Sequence, residues 1–178
     1  MLDNKQVFTL IDEQKASLEE VINNLLAQKF GTKWAEKTNQ FAINYAVHLG
    51  EVYGDNWYKG YLPEELFSSV LLPKHGHSGM EKDDKVFFKL DTPIKDAMNY
   101  LKEIDSERTK ECLELINYLK NEIKEKGFNS DVILVVINGT LKHVDGLHRM
   151  IALASLMTEG YQYKPIPVLL CDSTKGLN

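Results

Sequence analysis

The stretch "DVILVVINGTLKHVDGLHRMIALASLMTEGYQYKPIPVLLC", residues 131–171, decides the fold. It opens on an unbroken run of β-branched and aliphatic side chains, which suits a strand buried on both faces. Asn138 and Gly139 supply the left-handed pair that a two-residue hairpin needs, and "TLKHV" reads as the returning strand. From Leu147 onward the chain is apolar nearly all round until Gly160, the pattern of a buried helix with a glycine stop. "IPVLLC" then closes the stretch as a last buried strand.

Upstream, the longest helical pattern covers residues 107–126, where Cys112, Ile116, Leu119 and Ile123 make one stripe and "KEKG" supplies terminal cations and a glycine stop. Before it, "KVFFKL" reads as a strand, and "DTPIKDAMNYL" as a helix capped by Asp91 or Thr92 with Pro93 just inside. Near the start, Leu18, Val21, Ile22, Leu25 and Leu26 recur at helical spacing, with Gly31 closing that helix. A second helix carries Trp34, Phe41, Tyr45, Ala46 and Leu49 and ends near Gly50 and Gly54. "DNWYKGYLP" reads as a turn, and Pro63 opens a further helix in "PEELFSSVLL". The expectation is a helical subdomain at residues 1–73 and a linker or mobile loop at 74–84, "KHGHSGMEKDD". A mixed α/β unit at residues 85–178 follows.

A formal charge of -5, from 21 basic and 26 acidic residues, gives no general attraction to nucleic acid, so DNA coating is not expected. The first helices carry no basic face; Lys33 and Lys37 stand among acids. The beginning of the sequence does not read as a secretory signal, and no apolar stretch reaches the length of a membrane span, so a cytoplasmic protein is expected. Cys112 and Cys171 lie far apart without a CxxC, which fits two reduced thiols.

The polar cluster in front of the buried helix, Asp145 to Arg149, carries the chemistry. A helix starting near Gly146 or Leu147 presents free N–H groups and the positive end of its dipole there. Gly146 admits a close approach, Arg149 offers a planar fork for phosphate oxygens, and His148 can donate to a further oxygen or act as an acid. Asp145 leaves two readings open: an N-cap, or a carboxylate that faces Mg²⁺ or accepts a substrate proton.

The order strand, NG turn, strand, "VDGLHR", helix, "YKPIPVLLC" resembles the ParB/sulfiredoxin superfamily, over about residues 84–172. That resemblance implies an α+β (α/β) domain with a small mixed sheet, and phosphate or nucleotide binding by Gly146, His148 and Arg149. Leu147 stands where sulfiredoxins carry their reactive cysteine, which removes sulfinic-acid repair. Chromosome-partition members typically show two arginines and no aspartate before the glycine, so "DGLHR" is more similar to the small-molecule kinases of the superfamily. In those the aspartate serves catalysis or the metal, and a glutamate near the start of the preceding helix assists. Glu103, Asp105 and Glu107 lie in that region, with Glu107 the candidate, and each also reads as a first-turn acid that complements a helix dipole.

The expectation is therefore an ATP-dependent phosphotransferase with Mg²⁺, acting on a small hydroxylated metabolite, with Asp145, His148 and Glu107 catalytic and Asp145 on the metal. Lys74, beside His75 and His77, would add charge from a lid. The alternatives are a ParB-like, nucleotide-switched module that binds DNA or protein, and a metal-dependent nuclease. His143 reads as a packed or surface histidine. Trp57, Tyr58 and Tyr61 read as packing residues or as stacking partners for a base or sugar.

Overall fold

The aliphatic run forms β5 (Val132–Ile137), and its neighbours in the sequence fold around it as β6 (Thr140–Asp145), α6 (Leu147–Thr158) and β7 (Ile166–Asp172). Asn138 and Gly139 both take positive φ, 52° and 72°, and close the β5–β6 hairpin. The structure is a computed structural model that describes residues 8–27, 35–54, 56–72, 90–103, 107–172 and 174–175.

The earlier described elements are β1 (Ile11–Ala16), α1 (Leu18–Ala27), α2 (Ala35–Tyr53), β2 (Trp57–Leu62), α3 (Glu64–Ser68) and β3 (Leu71–Leu72). After them come β4 (Thr92–Pro93), a 3-10 turn (Ile94–Asp96), α4 (Ala97–Glu103) and α5 (Glu107–Lys126). Among the described residues the strands make one seven-stranded mixed sheet in the order β1-β2-β7-β5-β6-β3-β4. β5 runs parallel to β7 and β3 parallel to β6, and the remaining pairs are antiparallel.

Because β5 is apolar at every position, it feeds two cores. Val132, Leu134 and Val136 pack with Phe67, Ile94, Leu101, Ile116 and the inner residues of α6. Ile133 and Val135 pack on the opposite face with Val21, Leu25, Ala46, Leu49 and Trp57. Helices thus cover both faces, in three layers. Each such buried side chain contributes about 1.5–3 kcal/mol. α1 begins at a reciprocal capping box, in which Glu20 N–H donates to the Ser17 hydroxyl at 3.1 Å and Ser17 N–H to the Glu20 carboxylate at 2.8 Å.

The expected mixed sheet is present, but it is larger than a small one, and the first seventy residues are not all helical. "WYKGYL" is a strand and not a turn: β2 pairs along its whole length with β7. Gly60 serves close approach: a Cβ there would lie 2.6 Å from the Ile11 carbonyl oxygen, where β1 bulges across it. β1 carries no strand signal in its sequence because, at the edge of the sheet among the described residues, it buries only Ala16. The helix expected from Asp91 starts later, at Ala97, because Thr92 and Pro93 pair with β3 and Asp91 takes a φ of 63°. The "KVFFKL" strand, Gly31, Trp34 and the linker at 74–84 lie outside the described residues, apart from Leu90 in a turn.

Candidate functional site

β6 reaches the cluster through a bulge. Ile133 pairs with Asp145 while Leu134 pairs with His143, so Val144 is an extra residue that bends the end of the strand. The chain then turns at Gly146, whose φ of 94° is left-handed and which caps the N-terminus of α6. A Cβ there would sit 2.7 Å from Val132 Cγ1 and 3.1 Å from Arg149 Nη2, so the close approach as well as the backbone angle demands glycine.

Asp145 is not the cap: the start of α6 has no side-chain cap bond. Its carboxylate instead lies 3.4 Å from Arg149 Nη2 and accepts from the Gly146 N–H. Both side chains of this i,i+4 pair are buried. Arg149 Nη1 also donates to the Ser130 hydroxyl and, at 2.9 Å, to the Asp131 carbonyl. Asp131 in turn accepts from the Asn24 side chain of α1. One guanidinium thus ties the first turn of α6 to the end of β6 and the entry to β5, and Asn24 extends the tie across the sheet end. Ser130, Asp131 and Asn24 have no local sequence signal, because their spacing to Arg149 follows from the strand register.

Burial dominates the electrostatics. It raises the Asp145 carboxyl above its ordinary range, against the opposing pull of Arg149 and the Gly146 N–H. It lowers Arg149, with Asp145 and Asp131 restoring part of the charge preference. It depresses half-buried His148 to about 4, so that imidazole is neutral at physiological pH. A neutral imidazole offers one donor and one acceptor, and a carboxylate with raised proton affinity is a competent proton acceptor.

The structure therefore gathers Asp145, Gly146, His148 and Arg149 within one turn, and it aims Arg149 at protein groups. Glu107 is exposed in the first turn of α5. Among the described residues it shares no hydrogen bond or ion pair with the cluster. Glu103 is exposed at the end of α4. Lys74, His75, His77 and Asp105 lie outside the described residues. His143 is buried on β6, and Trp57 is fully buried in the core. Tyr58 is half-buried between Lys15 and Lys175, whose ammonium groups stand 4.7 and 4.4 Å from its ring centroid.

Among the described residues no three His, Cys, Asp or Glu side chains converge. Asp145 already faces a guanidinium, so it fits a proton acceptor better than a magnesium ligand. No helix among the described residues is long and apolar enough to cross a membrane. No protein-family model, curated protein or solved structure matches the chain.

Proposed function

We propose that this is a ParB/sulfiredoxin-like phosphotransferase that moves the terminal phosphoryl group of ATP to a small hydroxylated metabolite. The observation that carries the reading is the pairing of a start of α6 that has no side-chain cap bond with a buried carboxylate of raised proton affinity directly before it. The order β5, β6, α6, β7 around "DGLHR" supports the family assignment.

In this reading the N-terminal turn of α6 and neutral His148 receive the phosphate, while Arg149 positions Asp145 and makes no phosphate contact of its own. The acceptor hydroxyl oxygen bonds to the γ-phosphorus, and the bond from that phosphorus to the β–γ bridging oxygen breaks. ADP leaves, and the hydroxyl proton passes to Asp145. Magnesium would arrive on the nucleotide, held chiefly by phosphate oxygens and water.

The engagement of Arg149 Nη1 and Nη2 with Ser130, Asp131 and Asp145 favours one other reading, a nucleotide-switched binding module for DNA or protein in which the motif is a structural lock. A thermal-shift panel of ATP, CTP, GTP and ADP, with and without Mg²⁺, tests both. A ligand at 100 times its Kd stabilises by about 2.7 kcal/mol. No shift with any nucleotide overturns both readings. Asp145→Asn should keep the ATP shift and lose phosphoryl transfer; if transfer survives, Asp145 is not the proton acceptor. An ATP shift without transfer to any hydroxylated acceptor leaves the binding module.

A further inference from the structure

A concavity elsewhere on the sheet shares Asp131 with the hydrogen bonds of the cluster. It is a cavity of about 580 Å³, within the size range of small-molecule sites. Register builds its floor: Gln14 of β1 pairs with Lys59 of β2, and Tyr61 of β2 with Pro167 of β7. Val132 pairs with Val168, so Asp131 lies beside Pro167. Tyr61 remains 46% exposed.

The concavity is built by the bulge in β1. Asp12 takes a φ of 52° there, out of the strand pattern, and the β1 backbone comes so close to Gly60 that no side chain fits. The polar lining is Asp12, Glu13, Gln14, Lys59 and Asp131; Glu13 is paired with Lys175 at 2.7 Å and Lys59 with Glu20 at 2.8 Å, so the excess negative charge is that of Asp12 and Asp131. That balance repels a polyphosphate and suits a neutral ligand rich in hydroxyl donors. Tyr61 and Pro167 offer a flat apolar surface to a C–H face, while the Asp12 and Asp131 carboxylates and the Gln14 amide accept from hydroxyl groups.

We propose that this cavity binds a neutral polyol the size of a monosaccharide. As the phosphate-acceptor site it rests on the phosphotransferase reading; as a polyol site it does not. Asp131 joins the two places, since it lines the cavity and its carbonyl accepts from Arg149.

Calorimetric titration of the full chain with glucose and ribose, without nucleotide, tests this. Binding is expected for a neutral sugar, weakened about tenfold by Tyr61→Ala, the scale of one lost aromatic contact. Gln14→Ala, at an exposed position, should weaken it as well. Glucose 6-phosphate should bind at least about tenfold more weakly than glucose, because the lining carries net negative charge. An unchanged melting temperature shows that each variant is folded. No binding of either sugar at millimolar concentration, or binding that Tyr61→Ala leaves intact, overturns the proposal. Sugar binding without phosphoryl transfer supports the cavity and overturns the phosphotransferase. Transfer to a non-sugar acceptor, with no sugar bound, does the reverse.

Discussion

Gly146→Ala tests whether the turn into α6 is as constrained as its geometry implies. The new Cβ meets Val132 Cγ1 at 2.7 Å and Val132 Cβ at 3.2 Å, inside a buried strand that cannot step aside. The left-handed backbone costs a residue with a side chain about 1–2 kcal/mol, and forcing atoms into a packed core adds about 1–3 kcal/mol. The expected loss is therefore about 2–5 kcal/mol, which lowers the urea midpoint by about 1–2 M with little change in slope. Gly160→Ala is the matched control. Its φ is 91°, but nothing lies within 4 Å of the added atom, so it should cost only the backbone part, about 1–2 kcal/mol. Adding Val132→Ala removes the nearest atom and should give a favourable coupling of about 1 kcal/mol with Gly146→Ala. If Gly146→Ala costs no more than Gly160→Ala, the close packing of Gly146 against β5 is refuted.

His148 and Arg149 give two further expectations. With the imidazole depressed from 6.5 to about 4, the unfolded chain binds the proton more readily, so folded stability falls as pH drops from 6.5 toward 4. After discounting for partial exposure, the loss is about 2 kcal/mol, and His148→Gln should abolish it in urea titrations across that range. Asp145 acts in the opposite sense, because a raised carboxyl favours the folded state at acid pH and gives that up as pH rises; a residual slope of that sign should remain in His148→Gln. A His148→Gln variant with the wild-type profile would falsify the assignment. Arg149→Ala strips the buried carboxylate of its cation and removes the donor to Asp131, and should cost about 3–5 kcal/mol in denaturant midpoint terms. Arg149→Lys should recover less than half of that, since an ammonium cannot span three acceptors in a plane; a loss near zero for Arg149→Ala would show the pair to be solvated.

The region from Val132 to Asp172 was legible because its elements advertise themselves locally: a continuous aliphatic run, an NG turn, an all-round apolar helix. β1 and β2 were not, and the reason is packing between distant segments. "IDEQKA" buries only its last residue, and "WYKGYL" contains a glycine whose purpose is to admit the bulge of another strand. Neither shows the period of two that marks a half-buried strand. At the cluster, the motif located Asp145, Gly146, His148 and Arg149. Sequence could not say which way the arginine turns. Its partners Ser130 and Asp131 stand 19 and 18 residues away, and only the seating of Gly146 against Val132 brings them into reach.

β7 is the last strand in chain order, yet it sits in the interior of the sheet, between β2 and β5. Leu62 of β2 pairs with Ile166, so roughly a hundred residues must be synthesised before the inner edge of β2 finds its neighbour. At about 5–20 residues per second that is on the order of 5–20 s with a strand edge exposed during translation. The β5–β6 hairpin and α6 can form early from local contacts, whereas joining the two halves of the sheet is a late, long-range step. Nascent chains stalled before residue 166 would carry β2 with its inner edge open. The topology thus makes the completion of β7 the event that converts two partial sheets into one protein.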